Sequence, residues 1–269
     1  MTITQPRRDG NLDAARRGLH AAAVTMLLLL FAAGLWAGAQ NALAGGGSFV
    51  TLPALILSGL DPRAANITST VALFPGQMTT GWAGRSLVAG AERLSFRALA
   101  IISLCGGIAG AFLLLQTPSS VFGKMVPWLV LAATCLFAWS SFGPKPKVAR
   151  DPPPAWVSGL IQSVIAVYSG FFGGGAGIIT MAALTLARMP VRNAAGTKNV
   201  LVALSNIAAA LVFAFTAPIV WQKALAIGAG SMIGGYGGAL LLKRMPAQVL
   251  KVGVVTIGAA LTIGLFLRG

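Results

Sequence analysis

The reading turns on two stretches, GGGSFVTLPALILSGLDPRAANITSTV at residues 45–71 and GGAGIITMAALTLARMPVRNAAGTKNV at residues 174–200. A single offset of 129 residues pairs Gly45 with Gly174, Gly46 with Gly175, Thr51 with Thr180, Arg63 with Arg192 and Thr68 with Thr197. The same offset carries on to pair Gln77 with Asn206. Later in each half, GGIAGAFLLLQTP from Gly106 aligns with GGYGGALLLKRMP from Gly234 at an offset of 128. Biased composition produces chance Ala, Gly and Leu matches, but not ordered matches that include Arg, Thr and Pro. The chain therefore reads as two copies of one unit.

Long apolar blocks surround both stretches, at 21–39, 96–115, 125–140, 199–215, 224–242 and 252–267. Crossing a bilayer core takes about 20 apolar helical residues. The blocks do not alternate polar and apolar residues, as barrel strands would. Hydrophobic residues make up 56% of the chain and charged residues 9%, with mean hydropathy +0.81. A soluble domain carries roughly 25% charged residues. These features predict an all-α polytopic membrane protein with two internal repeats. Residues 1–19 are a cytoplasmic N-terminal segment, 20–140 the first repeat, 141–155 a Pro/Lys-rich loop and 156–269 the second repeat.

Each repeat holds four spanning candidates and one short apolar segment. They fall at 20–43, 62–84, 94–116 and 119–140, then at 156–173, 190–215, 222–243 and 246–267. The short segments, 46–58 and 175–187, are expected to re-enter rather than cross. Loop charge arbitrates through the positive-inside rule. It favours about eight transmembrane helices, parallel halves and a cytoplasmic N-terminus, with residues 85–93 and 141–155 on the same side. An inverted, ten-crossing arrangement is the alternative. The expected location is a multi-pass position in the cell membrane. Arg7, Arg8, Arg16 and Arg17 before an apolar run, with Ala42-Leu43-Ala44 after it, imitate a signal peptide. The run is too long for one and further membrane segments follow it.

The formal net charge of +15 is accounted for by short basic loops beside the bilayer, and no nucleic-acid partner is expected. Cys105 and Cys135 sit in apolar blocks without the spacing of a metal or redox pair, and His20 is the only histidine. No catalytic residue, metal site or cofactor is expected, and the chain is not read as an enzyme.

The candidate site lies at the glycine runs and the polar stretches that follow. Glycine runs at 41–48 and 170–177 interrupt hydrophobic sequence. They serve either close helix packing or a helix break that aims free backbone N–H groups at an anion. Asn41, Gly45, Gly46 and Gly47 belong to the first run, Gly174 and Gly175 to the second. The polar stretches are Asn66, Thr68, Ser69 and Thr70 in the first half and Thr197, Lys198 and Asn199 in the second. These side chains either join helices in lipid or bind substrate. Lys198 has no acidic residue between Asp151 and the C-terminus to pair with; it either snorkels or faces a cavity. Cation carriers generally need buried carboxylates. With only five Asp and Glu in the chain, the polarity favours a small anion.

The segments GGGSFVTLPALILSGLDPRAANITST and FFGGGAGIITMAALTLARMPVRNAAGTKN resemble the TauE/SafE-type sulfite exporter family, also called the toluene-sulfonate uptake permease family. The resemblance covers nearly the whole chain after residue 20. It implies a bacterial inner-membrane carrier for sulfite, sulfonates or related organic anions. Ala176 stands where the first half has Gly47, and Ala182 where it has Pro53, so the halves depart from each other. The expected function is secondary transport of a small anion, with the site between the repeats near mid-membrane. The partners are that anion and the lipid bilayer, and homo-oligomerisation stays open. A metal-cation carrier and a non-transporting anchor or assembly subunit are the competing readings.

Overall fold

The computed structural model describes residues 8–43, 46–83, 85–91, 93–143, 153–241 and scattered positions from 252 to 267. Among the described residues the protein is helical, without a β-strand. In chain order the helices are α1 (Arg8–Leu43), α2 (Ser48–Leu57), α3 (Pro62–Ala83), α4 (Phe96–Gln116), α5 (Ser119–Phe142), α6 (Ala155–Phe171), α7 (Ala176–Leu186), α8 (Val191–Thr216) and α9 (Trp221–Leu241). Most of the expected span at 246–267 lies outside the described residues.

Local chemistry sets these boundaries. Gly59, at φ +95°, follows the end of α2. The Asp61 carboxylate then accepts from Arg63 N at 3.1 Å and Ala64 N at 3.2 Å, capping α3 behind Pro62. Ser95 caps α4 by accepting from Ala98 N. Pro118, Pro154 and Pro190 stand immediately before α5, α6 and α8.

The protein presents apolar side chains outward and polar ones inward. Trp82, Trp128, Phe215 and Leu225 are exposed, while Gln40, Ser103, Gln162, Ser169, Thr180 and Asn206 are buried. Water would penalise that arrangement; lipid favours it. Among the described residues, four stretches are long and apolar enough to cross a membrane: Arg16–Asn41, Phe96–Gln116, Ser119–Leu136 and Arg192–Thr216. α2 and α7, with 10 and 11 residues, are only about 15–17 Å long. Neither spans a hydrocarbon core of about 30 Å.

Close seams join the helices, and their register gives each helix a direction. α1 packs chiefly along α9, and α4 along α6. A side chain at Gly34 would run into Ile227 O, one at Gly38 into Ser231 O, and one at Gly234 into Leu35 O. Both chains advance together along this seam, so α1 and α9 are parallel. Gly228 faces Ala72 O and Gly76 faces Ser231 O, which makes α3 parallel to α9. In the other group, Gly106 meets Ala166 and Gly110 meets Val167 O, so α4 and α6 are parallel. α3 and α8 are antiparallel: Gln77 pairs with Asn206 and Gly81 with Ala203.

The short helices turn back. Ser48 opens α2 beside Gln77, Thr51 bonds Ser69 lower on α3, and Ser58 receives Lys223 Nζ at the start of α9. α2 therefore runs against α3 and α1, forming a hairpin with α1. α7 does the same with α6, since Gly177 faces Lys198 while Ala187 and Pro153 border a common cleft.

These directions revise the expected topology. Parallel halves with eight crossings need α3 antiparallel to α1 and α9, and the seams run the other way. Each short helix instead pairs with the helix before it as one hairpin, α1 with α2 and α6 with α7. The α3–α4 loop consequently lies at the end of the bundle opposite to where α1 enters. Basic residues fall at both ends, and the charge argument for a cytoplasmic N-terminus falls with the arrangement that produced it.

Candidate functional site: a buried polar cavity between the hairpin turns

A cavity of about 30 Å³ lies where the two hairpin turns meet α3 and α8, room for about one or two waters. Asn41, Gly46 and Ser48 reach it from the α1–α2 turn, Gly173 and Gly177 from the α6–α7 turn. Gln77 and Thr80 come from α3, and Lys198, Asn199, Val202 and Ala203 from α8.

Glycine makes both turns. Gly46 has φ +89°, and Gly173 and Gly175 have φ +76°, a region that side chains other than glycine rarely enter. The first turns of α2 and α7 face the cavity through Ser48 and Gly177. A helix's first N–H groups lack intrahelical acceptors and carry the positive end of its dipole. One of them, Gly47 N, donates to Asn41 Oδ1 at 2.7 Å.

Lys198 is 6% exposed and its ammonium has no hydrogen bond or ion pair among the described residues. No lining residue is a carboxylate. A buried charge without a partner costs several kcal/mol, on the order of what a paired ion recovers. Behind the lining, Asn206 Nδ2 donates to Gln77 Oε1 at 2.9 Å, and Ser169 Oγ donates to Asn206 Oδ1 at 3.1 Å. Thr80 Oγ1 donates to Gly76 O at 2.9 Å.

Of the residues expected at the site, Asn41, Gly46, Lys198 and Asn199 line the cavity. Gly45 lies outside the described residues. Gly47, Gly174 and Gly175 shape the turns: Gly174 O accepts from the Tyr168 hydroxyl at 2.6 Å, and Gly175 is the N-cap of α7. Asn66, Thr68, Ser69 and Thr70 are buried on α3 outside the lining. Asn66 Nδ2 donates to Phe171 O at 2.9 Å, Ser69 shares a 2.6 Å hydrogen bond with Thr51, and Thr70 donates to Asn66 O at 2.9 Å. Thr197 accepts from Ala89 N at 2.9 Å and donates to Ala89 O, clasping the α3–α4 loop. Ser48, Gly173 and Gly177, inside the glycine runs but not named individually, also line the cavity, as do Gln77 and Thr80, which lay outside the candidate stretches. The repeat alignment had already matched Gln77 to Asn206, the residue it touches.

Helices that turn polar groups inward and break at glycines around a buried polar cavity define a multi-pass membrane transporter of small molecules. The chain belongs to the sulfite exporter TauE/SafE family, whose profile matches residues 30–265. It is 30% identical over 244 residues to a probable membrane transporter protein, ORF9, of a Sinorhizobium species, covering 89% of this chain and 92% of that one. A probable membrane transporter protein of Haemophilus influenzae is 28% identical over 246 residues, covering 89% and 94%. The probable membrane transporter protein YfcA of Escherichia coli K12 is 26% identical, covering 88% of each chain. No solved structure matches the chain.

Proposed function

We propose that this transporter carries a small anion of the sulfite, organosulfonate or organic-acid class across the bacterial inner membrane, and that the cavity at Lys198 holds it. The observation that carries this reading is Lys198, a buried residue that lines a polar cavity and whose ammonium has no partner among the described residues. A transported anion supplies that partner. The lining helix starts and amides add donors, and no carboxylate lies among the described lining residues to hold a metal cation.

The two hairpins and the full-length helices are read as an inverted duplication. Its support is the pairing of contacts. α1 on α9 has its counterpart in α6 on α4, and α3 on α9 in α8 on α4. Gln77 and Asn206, partners in the repeat alignment, bond to each other, as equivalent residues beside an axis relating the halves would. Inverted repeats that meet at broken helices near mid-membrane are a common transporter plan.

Uptake of labelled sulfite, sulfoacetate and a panel of metal cations into proteoliposomes tests the reading. Saturable anion flux is expected, with no cation flux. Cation flux without anion flux overturns it.

A further inference from the structure

Lys198 is the only charged residue among the described residues that line the cavity. The duplication supplies no second one. At the 129-residue offset its counterpart in the first half is Ser69, a buried serine that shares a 2.6 Å hydrogen bond with Thr51. Basic side chains on the neighbouring helices are engaged elsewhere or turned outward. Arg63 donates to Leu115 O and Thr117 O at 3.2 and 3.0 Å, about 21 Å along α3 from Gln77. Lys223 donates to Ser58 O at 2.6 Å. Arg85 lies over the Trp82 ring, 4.0 Å from its centroid, and Arg192 is exposed.

The cost of taking an ion out of water grows as the square of its charge, whereas its attraction to one ammonium grows only in proportion to that charge. A monoanion beside Lys198 makes a neutral pair. A dianion leaves one negative charge over, and an uncompensated buried charge costs roughly a hundred- to thousandfold in affinity. The starts of α2 and α7 offset part of this, each by about two- to fivefold. The amides and hydroxyls of the lining bring no net charge, whichever end they present, so they do not alter the count. We infer that Lys198, as the one charge on the lining, makes the site selective for monovalent oxyanions, such as a sulfonate, over divalent ones of the same size and shape, such as sulfate. The inference rests on the anion-carrier reading and deepens it to the charge of the ligand.

Methanesulfonate and sulfate test this. Both are tetrahedral and nearly equal in size, and a methyl group in place of one oxygen removes one charge. Binding of each radiolabelled anion to the purified, detergent-solubilised protein is measured at neutral pH and constant ionic strength. Methanesulfonate should bind about tenfold or more tighter than sulfate. Asn199→Lys and Thr80→Lys each place a second ammonium on the lining, from α8 and from α3. In either variant the ratio should fall to parity or turn in favour of sulfate. Sulfate binding the wild type as tightly as methanesulfonate overturns the inference and leaves the anion carrier standing. So does a preference that keeps its wild-type size in the folded variants, because the methyl group rather than the charge is then what the site reads. Binding of labelled sulfite with neither of the other two also overturns it, since size then selects. If none of the three anions binds, the anion-carrier reading fails and the inference goes with it. The wild-type ratio decides alone if neither variant folds.

Discussion

Lys198 was conspicuous in the sequence because nothing acidic follows Asp151, and burial beside the cavity separates it from a snorkelling lysine. Lys198→Met should weaken anion-dependent thermal stabilisation by roughly ten- to hundredfold, the size of a lost charge-assisted hydrogen bond of about 1.5–3 kcal/mol. The apo protein should remain folded, since the substitution also removes an unpaired buried charge. Lys198→Arg should recover only part of the affinity, because a planar fork does not replace a compact ammonium. Unchanged stabilisation of Lys198→Met by sulfite would remove this residue from the site. Gln77 was less legible. An amide in an apolar helix carries no signal of its own, and its place beside the cavity depends on how α3 crosses α8. The Asn66–Thr70 patch looked equally polar, yet its bonds to Phe171 O and Thr51 fasten α3 to the neighbouring hairpins.

At the scale of the helices, glycine does two separate jobs, and sequence alone offered them as rivals. Gly34 and Gly38, Gly106 and Gly110, and Gly230 and Gly234 are spaced four apart and meet a neighbouring helix at its backbone or an alanine side chain, the small-residue packing of membrane helices. Gly46, Gly173 and Gly175 instead take positive φ and turn the chain. The two sets should respond differently. Gly110→Val forces α4 off Val167 O and should destabilise the protein by about 1–3 kcal/mol or more, seen as lower melting temperature and poor recovery from membranes. Gly46→Leu should abolish transport more than it reduces expression, since its side chain meets the Phe49 ring at the mouth of the cavity. Normal uptake by Gly46→Leu would return that turn to mere packing. The short helices themselves were legible, because 10 or 11 apolar residues between a glycine run and Gly59 or Pro190 cannot cross.

For the whole molecule, loop charge was the weak guide. The positive-inside rule orders loops only once the helix directions are known, and setting α3 antiparallel to α1 put the α2–α3, α3–α4 and α4–α5 loops at the wrong ends of the bundle relative to the start of α1. Register along the glycine seams decides what charge could not. Single cysteines at Ser58 and Ser86 should be labelled by an impermeant reagent from opposite sides of the membrane, with Ser58 sharing its side with His20→Cys. Labelling of Ser86→Cys, rather than Ser58→Cys, from the same side as His20→Cys would restore parallel halves. The seams also fix which parts can move. α1 from the first half is locked to α9 from the second, and α4 from the first is locked to α6 from the second. The two sequence repeats therefore cannot rock apart as units without tearing both seams. A motion that spares them carries α1, α3 and α9 as one piece and α4, α6 and α8 as the other. The hinge surface is then the antiparallel crossing of α3 and α8, and the Gln77–Asn206 hydrogen bond is the latch across it.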